Sequence, residues 1–207
     1  MSDAFLYSET NKANAMNKKI SEMTLEELWR LFPIFLTEPR DFWKTWYADE
    51  EAGLKKIIPQ AVRIEHIGST AIAFIWAKPI IDILVEVSTE CDLKNIKDLL
   101  LKNGYICMSH KADRYSFNKG YTETGFSEKV FHLHLRHTGD NDELYFRDYL
   151  MEFPNVAREY EKMKLTLWKK FEHDRDGYTH AKTEFIRKYT NEAKLKYGNR
   201  YSLTSHS

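Results

Sequence analysis

Long apolar runs are missing from this chain. No stretch approaches the roughly 18 apolar residues of a membrane span, and the opening MSDAFLYSETNKANAMNKK is polar, without the apolar core of a secretory signal. An excess of charge is missing too: Lys+Arg and Asp+Glu both number 31 among 207 residues. A broadly basic nucleic-acid footprint is therefore not indicated, although a local patch is compatible with the balance. Cysteine is scarce. Cys91 and Cys107 have neither metal-binding nor redox spacing, which leaves reduced, packing-related thiols as their reading. Repeats and low-complexity segments are absent. The expectation is a cytoplasmic protein that does not enter the membrane.

Hydrophobic residues make up 43% of the chain, enough for a sizeable core. Residues 1–20 read as a loose arm, 21–198 as a single domain and 199–207 as a tail. Ser21 to Leu36 predicts a helix, with Thr24 and Glu27 as a capping box and Pro33 as its stop or kink. Pro39 to Ile58 predicts a second helix, ended by Pro59. Val62 to Ile67 alternates as a half-buried strand, and Ile80 to Val87 is rich in β-branched residues, as a central strand is. Cys91 to Asn103 repeats Leu93, Ile96, Leu99 and Leu100 at helical spacing, with Gly104 as its C′ residue. Tyr105 to Ser109, Tyr115 to Lys119 and Lys129 to Arg136 predict further strands, with a turn over Gly120 to Gly125. Leu144 to Phe153, Asn155 to Phe171 and Tyr178 to Tyr197 predict helices, with HDRDG as a loop. Helices, then mixed strands, then helices give an α+β architecture.

Strand parity carries the chemical argument. On Ile80 to Val87, Asp82, Leu84 and Glu86 share one face, and Ile81, Ile83, Val85 and Val87 share the other. On Lys129 to Arg136, His132, His134 and Arg136 share a face opposite Phe131, Leu133 and Leu135. If the two strands are neighbours, those ionisable groups line one surface as a metal or phosphate site. A sheet with one solvated face alternates in the same way. Asp82 stands out because an acid inside so apolar a run needs a partner to offset desolvation. Glu86, at the strand end, is as readily a solvated side chain. Gly68, Ser69 and Thr70 form either a phosphate cradle or a plain turn with a helix cap. Lys78 either reaches a phosphate or lies on the surface. The cluster Arg158, Lys162, Lys164, Lys169 and Lys170 reads as the solvated side of a helix.

The signatures EHIGST, KPIIDILVEV, HLHL, FRDYL followed by FPNVAREYEKMK, and YTHAKTEFI resemble the GrpB family in order and approximate spacing. The resemblance runs from about Glu26 to Lys188. It implies a small mixed sheet flanked by helices, like the nucleotide-transfer core of polymerase-β-like enzymes. Gly68 and Ser69 then stand as the phosphate motif and Asp82 as the first metal-binding acid. Two departures matter. Active nucleotidyltransferases usually carry Asp-x-Asp on this strand, and here the second position is Leu84. A further acid usually lies on a neighbouring strand, where this chain has His132 and His134.

The resulting expectation is metal-dependent nucleotidyl transfer, or action on another phosphorylated small molecule. Asp82, His132 and His134 are the candidate catalytic residues. Gly68, Ser69, Thr70, Lys78, Arg136, Arg147 and Lys182 are the candidate phosphate or nucleotide contacts. Asp82, His132, His134 and Glu86 are the candidate ligands for Mg²⁺, Mn²⁺ or Zn²⁺. Two alternatives stand beside it: an inactive nucleotide- or phosphometabolite-binding module, and a His/Asp metal-dependent hydrolase.

Overall fold

Thr24 opens the first α-helix, α1 (Leu25–Leu31), with the reciprocal bonds its sequence implies. Its hydroxyl accepts from Glu27 N at 3.2 Å, and the Glu27 carboxylate accepts from Thr24 N at 2.6 Å. The structure, a computed structural model, describes residues 18–111 and 113–202. Most of the expected N-terminal arm and the last five residues of the expected tail lie outside that range. The helix expected over Ser21 to Leu36 is shorter than its periodicity implied. A 3₁₀ turn at Ile20–Glu22 precedes α1, and no residue of α1 is buried.

The next helix, α2 (Phe42–Ile57), leads into strand β1 (Ala61–Ile67), a 3₁₀ turn at Ser69–Ala71 and strand β2 (Ile81–Val87). Helix α3 (Leu93–Lys102) follows, then β3 (Ile106–Lys111), β4 (Arg114–Thr122) and β5 (Gly125–His137). Three helices close the described chain: α4 (Asp142–Glu152), α5 (Pro154–Lys170) and α6 (Arg175–Tyr197). The five strands form one mixed sheet in the order β1-β2-β5-β4-β3. Only the central β2–β5 pair is parallel.

One face of the sheet is apolar. Ile81, Ile83, Val85, Phe117, Leu133 and Leu135 pack there with Trp43 and Leu54 of α2 and Ile96 and Leu100 of α3. The opposite face is not left to water. Helices α4, α5 and α6 cover it, around a second small core that includes Ile72, Ile75, Leu150, Ala157 and Tyr160. Leu84, the residue at the second-acid position, is fully buried there with Ile67 and Leu144.

The region expected as a turn over Gly120 to Gly125 is mostly strand. The β4–β5 ladder changes register between Lys119 and Tyr121. Gly120 sits at that irregularity with φ +87°, and a Cβ there would overlap the Lys129 carbonyl oxygen. Such a bulge redirects side chains. Lys119 reaches Glu50 of α2 at 2.5 Å, on the apolar side of the sheet. Tyr121 instead reaches His132 on the polar side.

Glu86 is a correction to the expectation of a solvated group or a metal ligand. It is 0% exposed. Its carboxylate pairs with Arg63 of β1 and accepts from Gly139 N at 2.9 Å and from Asn141 Nδ2 at 3.0 Å. It therefore ties the edge strand and the β5–α4 loop to the centre of the sheet. Removing one partner of a buried charge pair strands the other. Glu86→Ala is expected to lower unfolding free energy by about 3–5 kcal/mol, measured by urea denaturation. The double variant Arg63→Met/Glu86→Leu is expected to recover much of that loss.

Candidate functional site

Parallel pairing sets Asp82 opposite His132 and Leu84 opposite His134. Residues opposite one another in a sheet share a face, so the carboxylate and both imidazoles converge. His132 Nδ1 lies 3.3 Å from Asp82 Oδ1, and His134 Nε2 lies 3.9 Å from the same oxygen. Burial pushes the Asp82 carboxyl towards protonation. The neighbouring imidazoles of His132 and His134 outweigh that and hold it well below the usual carboxylate range.

The partners of His132 define its tautomer. Arg175 Nη2 is 3.1 Å from His132 Nε2, and a guanidinium can only donate. Nε2 is therefore the acceptor, and the neutral ring carries its proton on Nδ1, directed at Asp82. Tyr121 completes the chain: its hydroxyl accepts from Arg175 at 3.3 Å and donates to Nε2 at 2.8 Å. Burial lowers the His132 pKa against the pull of Asp82, which keeps the ring neutral.

The Gly-Ser-Thr turn is fitted to Asp82. Gly68 has φ +69°, and a Cβ there would overlap an Asp82 carboxylate oxygen. The bare backbone lets the turn pass directly over the acid. Thr70 is buried and structural: its hydroxyl donates to Ile80 O at 3.0 Å and accepts from His66 Nε2 at 3.0 Å. His66 stacks on Tyr47 with ring centroids 4.8 Å apart, and burial pushes its pKa down to about 4. Ser69 accepts from Lys164 Nζ at 3.0 Å.

Four cations line the cavity that holds Asp82, whose walls also include Asp142 and Glu143. Lys164 of α5 bonds Ser69 and the Trp76 carbonyl. Lys78 and Lys182 lie over the Tyr178 ring at 4.6 and 4.2 Å from its centroid. Arg175 sits at the start of α6, beside His132. Among the described residues, none of these four forms an ion pair with a carboxylate. Burial, reinforced by the Lys182 charge, pushes Lys78 and Lys164 down to about 7. Burial pushes Lys182 down to about 8. The cavity measures about 690 Å³ and is open to solvent on one side.

The cavity brings together Gly68, Ser69, Thr70, Lys78, Asp82, His132, His134, Arg147 and Lys182 from the sequence candidates. It does not include Glu86 or Arg136. Arg136 donates to the Tyr115 and Leu135 carbonyls at 2.7 and 2.9 Å, which spends its guanidinium on the sheet. Arg147 borders the cavity, but its donors are spent on Glu65, the His66 carbonyl, Asp148 and Tyr201. Lys164, Arg175 and Tyr121 are the residues that sequence reasoning missed. Lys164 is 2% exposed, not on the solvated side of its helix. The signal was present: Ala157, Tyr160 and Lys164 follow one another at helical spacing on one buried stripe. Arg175 falls in the HDRDG segment expected as loop, whereas Asp174 caps a helix there by accepting from Gly177 N at 2.8 Å.

The residues do not fit a two-metal centre. Leu84 replaces the second acid, both nitrogens of His132 are engaged, and cations ring Asp82. Among the described residues, no group of three or more His, Cys, Asp or Glu side chains is arranged to hold a metal ion.

The lysines also couple the site to stability. Lysine in an unfolded chain titrates near about 10.4, so above about pH 7 the unfolded state binds more protons than the folded one. Stability then rises with pH. The melting temperature of the ligand-free protein is expected to climb by several degrees between about pH 7 and about pH 9. Lys164→Met is expected to flatten that climb. Differential scanning calorimetry in low-salt buffer measures both.

Comparison with known proteins covers the same ground. The family model described as GrpB protein matches residues 33–192. The glutamate-rich protein GrpB of Alkalihalophilus pseudofirmus is 36% identical over 77% of this chain and 95% of its own length. The UPF0157 protein YqkA of Bacillus subtilis is 29% identical over 91% of this chain, which spans only 56% of that protein. The crystal structure of the conserved protein GrpB from Enterococcus faecalis superposes with a TM-score of 0.68 at 29% identity, covering 79% of this chain and 99% of that one. The turn at Gly68, the acid on β2, the histidines of β5 and the lysines of α5 and α6 all lie inside the matched span, and the chain belongs to the GrpB family.

Proposed function

We propose that this GrpB protein binds a phosphorylated small molecule, a nucleotide in the first instance, in the cavity beneath α4, α5 and α6. The observation that carries the reading is a set of cations without ion-pair partners, Lys164 buried and Lys78, Lys182 and Arg175 half-buried. Lys78, Lys164, Lys182 and Arg175 converge on the pocket that holds Asp82, and none of them has a carboxylate within ion-pair distance among the described residues. Uncompensated buried charge is unfavourable, and a dianionic phosphate would offset it. Ser69 adds a hydroxyl at the same wall. Lysines held near neutrality regain protons when an anion arrives, so binding is coupled to proton uptake.

The nucleotidyltransferase-like fold that the family resemblance implies points to transfer at phosphorus as the reaction. Fixed cations stabilise the charge that develops on a transferred group. Neutral His132, its Nε2 held by Tyr121 and Arg175, fixes the Asp82 carboxylate beside that position from its Nδ1 side. Leu84 favours a second reading, a module that binds the ligand without turning it over. Labelled nucleotide triphosphate supplied with divalent metal and a panel of hydroxyl acceptors separates the two. Incorporation lost in Asp82→Ala marks the enzyme, and tight binding with no incorporation marks the module.

Sulfate is the direct probe of the anion site, because it stays dianionic across neutral pH. Isothermal titration is expected to show sulfate affinity falling at least about tenfold in Lys164→Met. Affinity for the wild-type protein is expected to fall as pH rises through about 7 to about 8, where the lysines lose their protons. Affinity indifferent to both changes would falsify the anion reading.

A further inference from the structure

A second, smaller pocket adjoins the cationic cavity. It encloses about 300 Å³ and shares Lys78, Ile80 and Arg175 with its larger neighbour. Its other walls are largely aromatic and apolar. The rings of Phe32, Tyr121 and Phe126 converge there, with centroids 4.6 Å apart for Phe32–Tyr121, 5.0 Å for Phe32–Phe126 and 5.1 Å for Tyr121–Phe126. Ile34 and Val130 are buried beside them. Two exposed polar residues, Ser127 and Glu128, stand at the rim.

The two pockets are chemically unlike, and their shared wall is where the character changes. One side holds cations, of which Lys164 is buried and Lys78, Lys182 and Arg175 are half-buried. The other presents aromatic faces and edges and few polar groups, the composition of sites that take flat apolar rings. Arg175 belongs to both: it donates to His132 on one side and lies over Tyr121, 6.0 Å from the ring centroid, on the other. The complementary molecule is anionic at one end and flat at the other. A sugar phosphate alone leaves the aromatic walls unused, and a free aromatic ring leaves the cations uncompensated.

We propose that this aromatic pocket is the subsite for the nucleobase of a nucleotide whose phosphate occupies the cationic cavity. The inference rests on the anion-binding reading given above and adds the identity of the other end of the ligand. Phe32 and Phe126 stack on the base or meet it edge to face. Ser127 and Glu128 meet the polar edge of the base at the rim. The bulge at Gly120 is a structural requirement, because it brings Tyr121 to this side of the sheet.

Isothermal titration with ribose 5-phosphate and with AMP, GMP, CMP and UMP tests the subsite, since all five share the phosphoribose. At least one nucleotide is expected to bind at least tenfold more tightly than ribose 5-phosphate. Phe126→Ala is expected to reduce that advantage to within twofold while leaving ribose 5-phosphate affinity unchanged. Should Phe126→Ala fail to keep a cooperative melting transition, Ser127→Trp fills the pocket from its exposed rim and is expected to have the same effect. Equal affinity of ribose 5-phosphate and every nucleotide, or an advantage that survives both variants, overturns the subsite and leaves the anion site standing. Failure of ribose 5-phosphate and sulfate to bind at all overturns the anion site, and the subsite with it.

Discussion

The parallel pairing of β2 with β5 is the constraint on which the site depends. It places one carboxylate and two imidazoles on the same side of adjacent strands, with Asp82 and His132 at the same level. The other elements adapt to that pair. Gly68 has no side chain where Asp82 needs room. Arg175 and Tyr121 engage the far nitrogen of His132, so the near one must donate to Asp82. A slip of β5 by one residue against β2 would send both imidazoles to the apolar face, away from Asp82, and bring the core residues of β5 out.

Helices α5 and α6 then change the meaning of the polar face. Without them it would be a solvated surface, on which lysines keep their ordinary pKa. With them, burial and mutual repulsion hold three lysines well below the usual lysine range around Asp82. The proposed anion site rests on this arrangement. On the proposed reading, the absence of a second acid at Leu84 matters less, because Lys164, Lys182 and Arg175 of the covering helices supply most of the charge.

Much of the fold could be read from local chemistry. The capping box at Thr24, the apolar parity of β2 and β5, the helical stripe from Leu93 to Leu100 and the proline stop after α4 are all present in the structure. What escaped reading has particular physical causes. Tyr121 shares sequence parity with Tyr115 and Phe117, and only the bulge at Gly120 carries it to the other face. Lys164 looked like one member of a basic cluster, because composition does not say which way a helix is turned. Glu86, Arg136 and Arg147 have residue types suited to a phosphate or metal site, yet each is consumed by neighbours that are distant in sequence. A charged residue's type says what it can bind, and its surroundings decide what it does bind.

By itself the sequence determined the α+β class, the residues that face the core, the glycine turn before β2 and the alternation that groups Asp82 with Glu86 and His132 with His134. Those features follow from backbone geometry and the transfer of apolar side chains out of water, and both act over a few residues. Tertiary structure alone decided that β2 and β5 are parallel neighbours, that Glu86 and Arg136 serve the scaffold, and that Lys78, Lys164, Lys182 and Arg175 meet in one cavity. Those outcomes depend on the desolvation and mutual repulsion of charges far apart along the chain, which have no magnitude until the fold sets their distances and removes the water between them.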